Sequence, residues 1–323
     1  MNNSTLSKKV FHTINKNYLF ENKPTIAVGV SGGPDSIALV FILRKWIKNK
    51  KGNLIALIVD HQLRKNSYLE AKEVRSFLNY NKIKSVILRV SKKKIINKKM
   101  KEARDNRFYK MSNYCLKNNI LHLFLAHHQD DNIETFLLRK IAGSNLEGLS
   151  SIKLKSSYRN IQILRPMLNI KKNQLIKFNK KYGLRFLNDP TNLNENYSRP
   201  FVRNFLITNS KITKNIKEEF KIINKNYQQY KKMIFQIYHL VCEQNYKKKV
   251  IFNKNKFFGL NIELQSKLIE LVYKFLYPKK PFIRYKKLYN FLKRAKKQNT
   301  YKEIVSSIKI DIGNKYIKFS VFS

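Results

Sequence analysis

Acidic residues are scarce in this 323-residue chain, 20 against 67 basic ones, which gives a formal net charge of +47. Such an imbalance predicts attraction to a polyanion, most simply nucleic acid, with salt-sensitive affinity. Cysteine is nearly absent. Cys115 and Cys242 stand far apart, with no C-x-x-C pair. A disulfide framework and any obvious zinc or iron–sulfur site are thereby excluded, and each thiol reads as a small apolar filler. No apolar run approaches the roughly 20 residues that span a membrane. The first residues, Met1 to Lys9, lack the apolar centre of a signal peptide. The expectation is a cytoplasmic protein without a membrane partner. Two common nucleotide signatures are missing too. There is no G-x-x-x-x-G-K followed by Ser or Thr, and no G-x-G-x-x-G.

What is present is a chain long enough for about two domains and a sizeable core. Apolar runs alternate with helical segments. Strands are predicted at residues 25–30, 54–59, 84–90, 121–126 and 161–167. Helices are predicted at 36–49, 67–80, 100–118, 130–141 and 171–182. Ser67 and Glu70 form an S-x-x-E capping box, Asn169 is a candidate cap, and Gly183 is a stop signal. Repeated strand–helix–strand units predict a parallel sheet with helices on both faces. A polar stretch, 188–197, reads as irregular. After about residue 212 the composition changes. A Lys-rich helical pattern covers 214–245, further helices cover 262–276 and 285–296, and 308–319 alternates around Gly313-Asn314 as a β-hairpin. The expected organisation is an α/β catalytic domain, 1–212, and a smaller, mostly helical, basic domain, 213–323, ending in the hairpin.

In such sheets ligands bind beyond the carboxyl ends of the strands. Three segments share that rim. The first is Ser31-Gly32-Gly33-Pro34-Asp35-Ser36, a Gly-rich turn between a strand and a helix start. Its glycines let backbone approach phosphate, and the helix N-terminus favours negative charge. Ser31 and Ser36 add hydroxyls, and Asp35 can hold a metal ion that bridges phosphates. The second is Asp60-His61. The third is His127-His128-Gln129-Asp130-Asp131 with Glu134, where Asp131 and Glu134 share a helix face. Those two carboxylates suit Mg²⁺ or a substrate ammonium, and either histidine suits acid, base or donor work. Arg104 and Arg107, spaced i and i+3, can clamp phosphate, and Arg199 and Arg203 flank a polar loop.

S-G-G-P-D-S resembles the pyrophosphate loop of ATP pyrophosphatases. In order, the chain also carries V-D-H-x-L-R-x-x-S-x-x-E, E-A-R-x-x-R-F, A-H-H-x-D-D-x-x-E-T, G-S-x-L-E-G-L, R-P-M-L and N-D-P-T-N. Together these resemble the tRNA(Ile)-lysidine synthetase family over residues 25 to 210. The resemblance implies a PP-loop fold, ATP and Mg²⁺ as cofactors, and free L-lysine and a tRNA(Ile) with a CAU anticodon as partners. ATP would adenylate the position-2 carbonyl oxygen of the wobble cytidine, and the lysine ε-amine would then expel AMP to form lysidine. Ser31, Gly32, Gly33, Pro34, Asp35 and Ser36 would hold the phosphates, with Mg²⁺ on Asp35 and with Asp60 and His61 near the nucleotide. Asp131 and Glu134 would take the lysine ammonium, and His127 would sit at the reacting phosphate. Arg104, Arg107 and Arg203 would neutralise the adenylate and RNA backbone. The domain after 212 would grip the tRNA. Two departures stand out: Ala142-Gly143-Ser144-Asn145 where the family has R-G-S-G, and Pro200 where it often has Asn. The further C-terminal domain of longer members is expected to be missing. The oligomeric state is open, a homodimer included. A tRNA thiolase with the same loop, or a non-catalytic tRNA binder, is the alternative.

Overall fold

The computed structural model describes residues 5–62, 66–90, 100–187, 198–278 and 283–322. These form two compact units, Met1–Ile223 and Asn224–Ser323. The division falls inside one continuous helix, beyond the compositional boundary read near 212.

The first unit is built on a six-stranded sheet. In chain order its strands are β1 (Thr25–Val30), β2 (Asn53–Asp60), β3 (Ser85–Arg89), β4 (His122–Phe124), β5 (Lys155–Tyr158) and β6 (Ile161–Leu164). They lie in the order β3-β2-β1-β4-β6-β5. All neighbouring pairs are parallel except β5 with β6. The expected parallel sheet is therefore present, with one antiparallel edge strand that the sequence reading did not separate.

Strand β1 shows why both sheet faces are covered. Ile26, Val28 and Val30 point into one apolar cluster, and Ala27 points into another. The first cluster takes residues from α1 (Thr5–Asn17), α2 (Pro34–Asn49), α3 (Ser67–Tyr80) and α7 (Lys172–Lys181). The second is closed by Met111 and Cys115 of α4 (Met100–Lys117). A strand buried on both faces must be apolar at consecutive positions, as Thr25-Ile-Ala-Val-Gly-Val30 is. Fully burying one such Ile or Leu is worth about 1.5–3 kcal/mol. A third cluster joins Ile133 and Phe136 of α5 (Gln129–Ile141) to α8 (Ser198–Thr208) and the first turns of α9 (Ser210–Val241). Between α5 and α8 in the chain lies the short α6 (Leu146–Leu149).

The chain runs from β1 towards β3 on one side and from β4 towards β6 on the other. Strands β1 and β4 are neighbours, so the connections diverge between them and open a crevice at their carboxyl ends.

Several local expectations need correction. Asn66, not Ser67, is the N-cap residue of α3, and the Ser67 hydroxyl donates to Asp60 instead of closing a capping box. Lys171, not Asn169, caps α7. Gly183, at φ +61°, does follow the end of that helix as a stop signal. Helix α8, which begins at Ser198 directly after the stretch read as irregular, has no counterpart among the predicted helices. Pro200 falls in its first turn, where a missing N–H costs nothing. The stretch 188–197 lies outside the described residues.

The second unit has its own core. Five antiparallel strands, β7 (Cys242–Tyr246), β8 (Lys249–Asn253), β9 (Tyr301–Val305), β10 (Ile308–Ile312) and β11 (Tyr316–Val321), lie in the order β7-β8-β11-β10-β9. The predicted terminal hairpin is β10–β11, in register from Ile308↔Val321 to Ile312↔Ile317. Its inward Ile308, Ile310, Ile317 and Phe319 pack with residues of α11 (Ile262–Leu276) and α12 (Tyr285–Ala295). Short α10 (Lys254–Phe258) adds Phe257. The helix read through residue 245 stops at Val241, because Cys242–Tyr246 pairs with β8 as a strand.

Candidate active site

The turn from β1 into α2 closes on itself. The Ser31 amide donates to the Ser36 hydroxyl at 3.2 Å, and that hydroxyl donates to the Gly33 carbonyl at 3.0 Å. The two serine hydroxyl oxygens lie 3.3 Å apart. Gly32 sits at φ +86°, and a Cβ there would come within 2.7 Å of Val74 Cγ2 and 3.2 Å of Leu187 Cδ1. Both the backbone conformation and the close approach demand glycine. The Gly32 carbonyl accepts from the Leu187 amide at 2.9 Å. Gly33 is the N-cap of α2 and Pro34 opens it, so Asp35 and Ser36 lie in the first turn. Buried Asn179 of α7 donates to the Pro34 carbonyl at 2.8 Å and fixes the helix start. The outcome is a rigid turn whose orphan amides and helix dipole face the crevice, an anion site in physical terms.

Across the crevice, β4 leads into α5 through His127 and His128. His128 is the N-cap of α5. Its Nδ1 accepts from the Asp131 amide at 3.4 Å, while its own amide donates to Asp131 Oδ2 at 3.0 Å. The imidazole is 2% exposed. Its Nε2 lies 3.5 Å from Asp35 Oδ2 and 3.5 Å from Asp131 Oδ2. One ring therefore joins the carboxylate of the glycine-rich turn to the carboxylate of α5. Burial opposes charge on His128, but Asp35, Asp131 and Asp130 more than offset it, and its pKa is raised. The sequence does not tell these adjacent histidines apart. Only the helix start does, by giving the second one both ring nitrogens to use.

His127 has the opposite environment. Burial, then the charges of Arg165, Arg107, Arg104 and Arg199, push its pKa well below the usual value. Its Nδ1 is buried without a hydrogen-bond partner among the described residues. Those arginines also act on one another. Burial and Arg199 lower the pKa of Arg104, while burial, Arg104 and Arg199 lower that of Arg107. Burial brings Arg165 down to about 10. Its Nη1 donates to the Lys153 carbonyl and the Ser156 hydroxyl, both at 2.9 Å. Arg199 of α8 reaches the Thr135 hydroxyl at 3.3 Å. A group of guanidiniums around a neutral imidazole is built for an anion. In the sequence Arg165 stands only within R-P-M-L, and Arg199 only beside a polar loop. The tertiary fold brings them to Arg104 and Arg107.

Glu134, one turn beyond Asp131, is 1% exposed. Arg203 holds it through Nε to Oε1 at 2.7 Å and Nη2 to Oε2 at 3.2 Å. That fork raises the Arg203 pKa and docks α8 on α5. Asp131 and Glu134 therefore have different surroundings, although their spacing suggested one joint site. Asp60 ends β2. Its Oδ1 accepts from the Gln62 amide at 2.9 Å and the Ser67 hydroxyl at 2.8 Å. His61 beside it has a lowered pKa, through burial and then Arg107.

For a cation, the informative atom is Asp35 Oδ1, buried and without a hydrogen-bond partner among the described residues. No group of three or more His, Cys, Asp or Glu side chains among those residues is arranged to hold a metal. One carboxylate completed by phosphate oxygens and water suits magnesium, which keeps much of its hydration.

The family described as a PP-loop domain matches residues 2–210. The chain belongs to the PP-loop family. Its crevice between β1 and β4 carries the loop after which that family is named. Among curated proteins it is similar to the tRNA(Ile)-lysidine synthase of Orientia tsutsugamushi (strain Boryong), 38% identical over 187 residues, which are 58% of this chain and 42% of that protein. It is likewise similar to that of Wolbachia pipientis wMel, 39% identical over 197 residues, 60% of this chain and 45% of that protein. The match thus spans less than half the length of these relatives. Among solved structures, the U34-tRNA thiolase NcsA from Methanococcus maripaludis with its 4Fe-4S cluster aligns with a TM-score of 0.57 at 17% identity. The alignment covers 69% of this chain and 77% of that one, a likeness of PP-loop fold. No helix among the described residues is long and apolar enough to cross a membrane.

Proposed function

We propose that this PP-loop protein ligates L-lysine to the wobble cytidine of a tRNA(Ile) bearing a CAU anticodon, in the cytoplasm, at the expense of ATP. The observation that carries the reading is the placement of Asp131 beside Asp35 with His128 between them. A carboxylate suited to an ammonium group adjoins a turn suited to phosphates. Similarity to the lysidine synthases supports the choice of substrates.

The amides and hydroxyls of Ser31–Ser36 hold the ATP phosphates, with Asp60 and His61 near the nucleotide. Asp35 is the residue that would hold Mg²⁺, which when bound neutralises and orients phosphate oxygens. The position-2 carbonyl oxygen of the cytosine attacks the α-phosphorus, and pyrophosphate leaves with the electron pair of the broken bond. Arg104 and Arg107, with Arg165 and Arg199, stabilise the charge that builds on phosphorus oxygens. His127, kept neutral by that same group, donates or accepts a hydrogen bond there without adding charge. Lysine then enters. Asp131 receives its ε-ammonium and takes part in removing a proton, since only a neutral amine is nucleophilic. Glu134 stands behind it and holds Arg203 against α5. The amine attacks C2, and AMP departs carrying the former carbonyl oxygen. The target base must leave its stack to reach the crevice. The Lys-rich region after 212 supplies sequence-independent grip on the RNA backbone.

A thiolase reading finds less support. Cys115 is fully buried with its thiol pushed up to about 12 by burial, and Cys242 lies in the other unit. The test is incubation with ATP, Mg²⁺, radiolabelled lysine and a tRNA(Ile) CAU transcript. Label is expected in the tRNA, and expected to vanish when the wobble C is replaced by U. Absence of label with folded protein and bound tRNA would overturn the proposal.

A further inference from the structure

We propose that His128, and not only the flanking carboxylates, is a positioning residue. It ties Asp35 on the phosphate side to Asp131 on the ammonium side, so that the two substrates are held at one fixed separation. The inference rests on the functional reading above for the identity of the ammonium, but its geometry stands alone.

The ring is buried, at 2% exposure, where an imidazole without partners would be costly. In the neutral ring Nδ1 accepts from the Asp131 amide at the start of α5, so Nε2 bears the hydrogen, and in the protonated ring Nε2 bears one as well. Nε2 is equidistant, at 3.5 Å, from Asp35 Oδ2 and Asp131 Oδ2. Asp131 Oδ2 is further fixed by the His128 amide at 3.0 Å. Asp35 has its other oxygen, Oδ1, buried with no hydrogen-bond partner among the described residues. Among those residues, His128 is the side chain that reaches Asp35 at ion-pair distance. Groups that orient a ligating carboxylate in this way affect affinity as strongly as many direct contacts. The consequence is coupling. A ring that contacts both carboxylates resists any shift of one relative to the other, and with it any drift between the α-phosphorus and the amine.

Two substitutions separate this role from that of a helix cap. His128→Asn keeps a good N-cap acceptor for the Asp131 amide but is too short to reach both carboxylates. His128→Gln gives up the cap geometry but places an N–H near the Nε2 position. The positioning role predicts that the His128→Asn protein keeps its melting temperature, while the KM for lysine and the Kd for Mg²⁺–ATP each rise by about tenfold or more, the loss of one charge-assisted hydrogen bond. It predicts that the His128→Gln protein melts earlier yet keeps both constants within about threefold of the parent. If the His128→Asn protein behaves like the parent, or if both variants weaken substrate binding only in step with lost stability, His128 is a cap alone and the proposal is overturned. Mg²⁺–ATP binding by calorimetry needs neither lysine nor tRNA. It therefore tests the bridge even if the parent protein fails to incorporate lysine, a result that would count against the lysidine reading instead.

Discussion

Single residues at the crevice make sharply different demands. Gly32 is held at positive φ against Val74 and Leu187, so Gly32→Ala combines backbone strain with a clash. It is expected to cost about 1–3 kcal/mol and to weaken ATP binding, read by thermal melting and calorimetry. Asp131→Asn keeps shape but removes charge. Its lysine KM should rise by about tenfold or more while tRNA affinity stays within about twofold, since it leaves the basic surface intact. Equal losses in both would remove Asp131 from the ammonium site. His127 has a depressed pKa, so in the free protein it stays neutral at pH values where an ordinary histidine is charged. The linkage sign follows. The unfolded chain takes up the proton first, so the stability due to His127 is complete above about 6.5, its unfolded value, and is lost as pH falls through the lower folded value. Ring NMR should find one histidine titrating well below about 6.5, and added pyrophosphate should move it upward by offsetting the arginines. A His127 signal at an ordinary pKa that ignores pyrophosphate would contradict the anion pocket.

At the scale of elements, the Glu134–Arg203 fork fastens α8 to α5. Arg203→Met would leave a buried carboxylate alone, at a cost of about 3–5 kcal/mol. A clear drop in melting temperature, partly relieved by adding Glu134→Gln, is the expected result. Elements were legible in proportion to how far their own residues determine them. Helices α3 and α11 begin and end where their apolar period does, and β1 announces itself by an apolar run bounded by polar turns. By contrast β7, Cys-Glu-Gln-Asn-Tyr, exposes most of its side chains and is a strand only because β8 pairs with it. Helix α1 and edge strand β5 give no comparable signal, since neither interrupts the βαβ rhythm. The site divides similarly. Asp35 and Asp131 follow strands within dense motifs and could be read directly. The use of His128 depended on cap geometry, and the recruitment of Arg165 and Arg199 on chain folding.

Across the whole molecule the outstanding quantity is charge, +47 on 323 residues. If that excess grips RNA, tRNA affinity should fall by about a thousandfold between roughly 50 and 200 mM salt, as several phosphates shed counterions. A flat response would mark most of the lysines as solvated surface. In the proposed reaction the carbonyl oxygen at position 2 of the wobble cytidine becomes the oxygen that AMP carries away. A tRNA(Ile) transcript with ¹⁸O at that single position tests it most directly, with the released AMP analysed by mass spectrometry. One ¹⁸O is expected in AMP for each lysine incorporated, and none is expected to remain at C2. AMP without the label, or label retained in the tRNA, would contradict it.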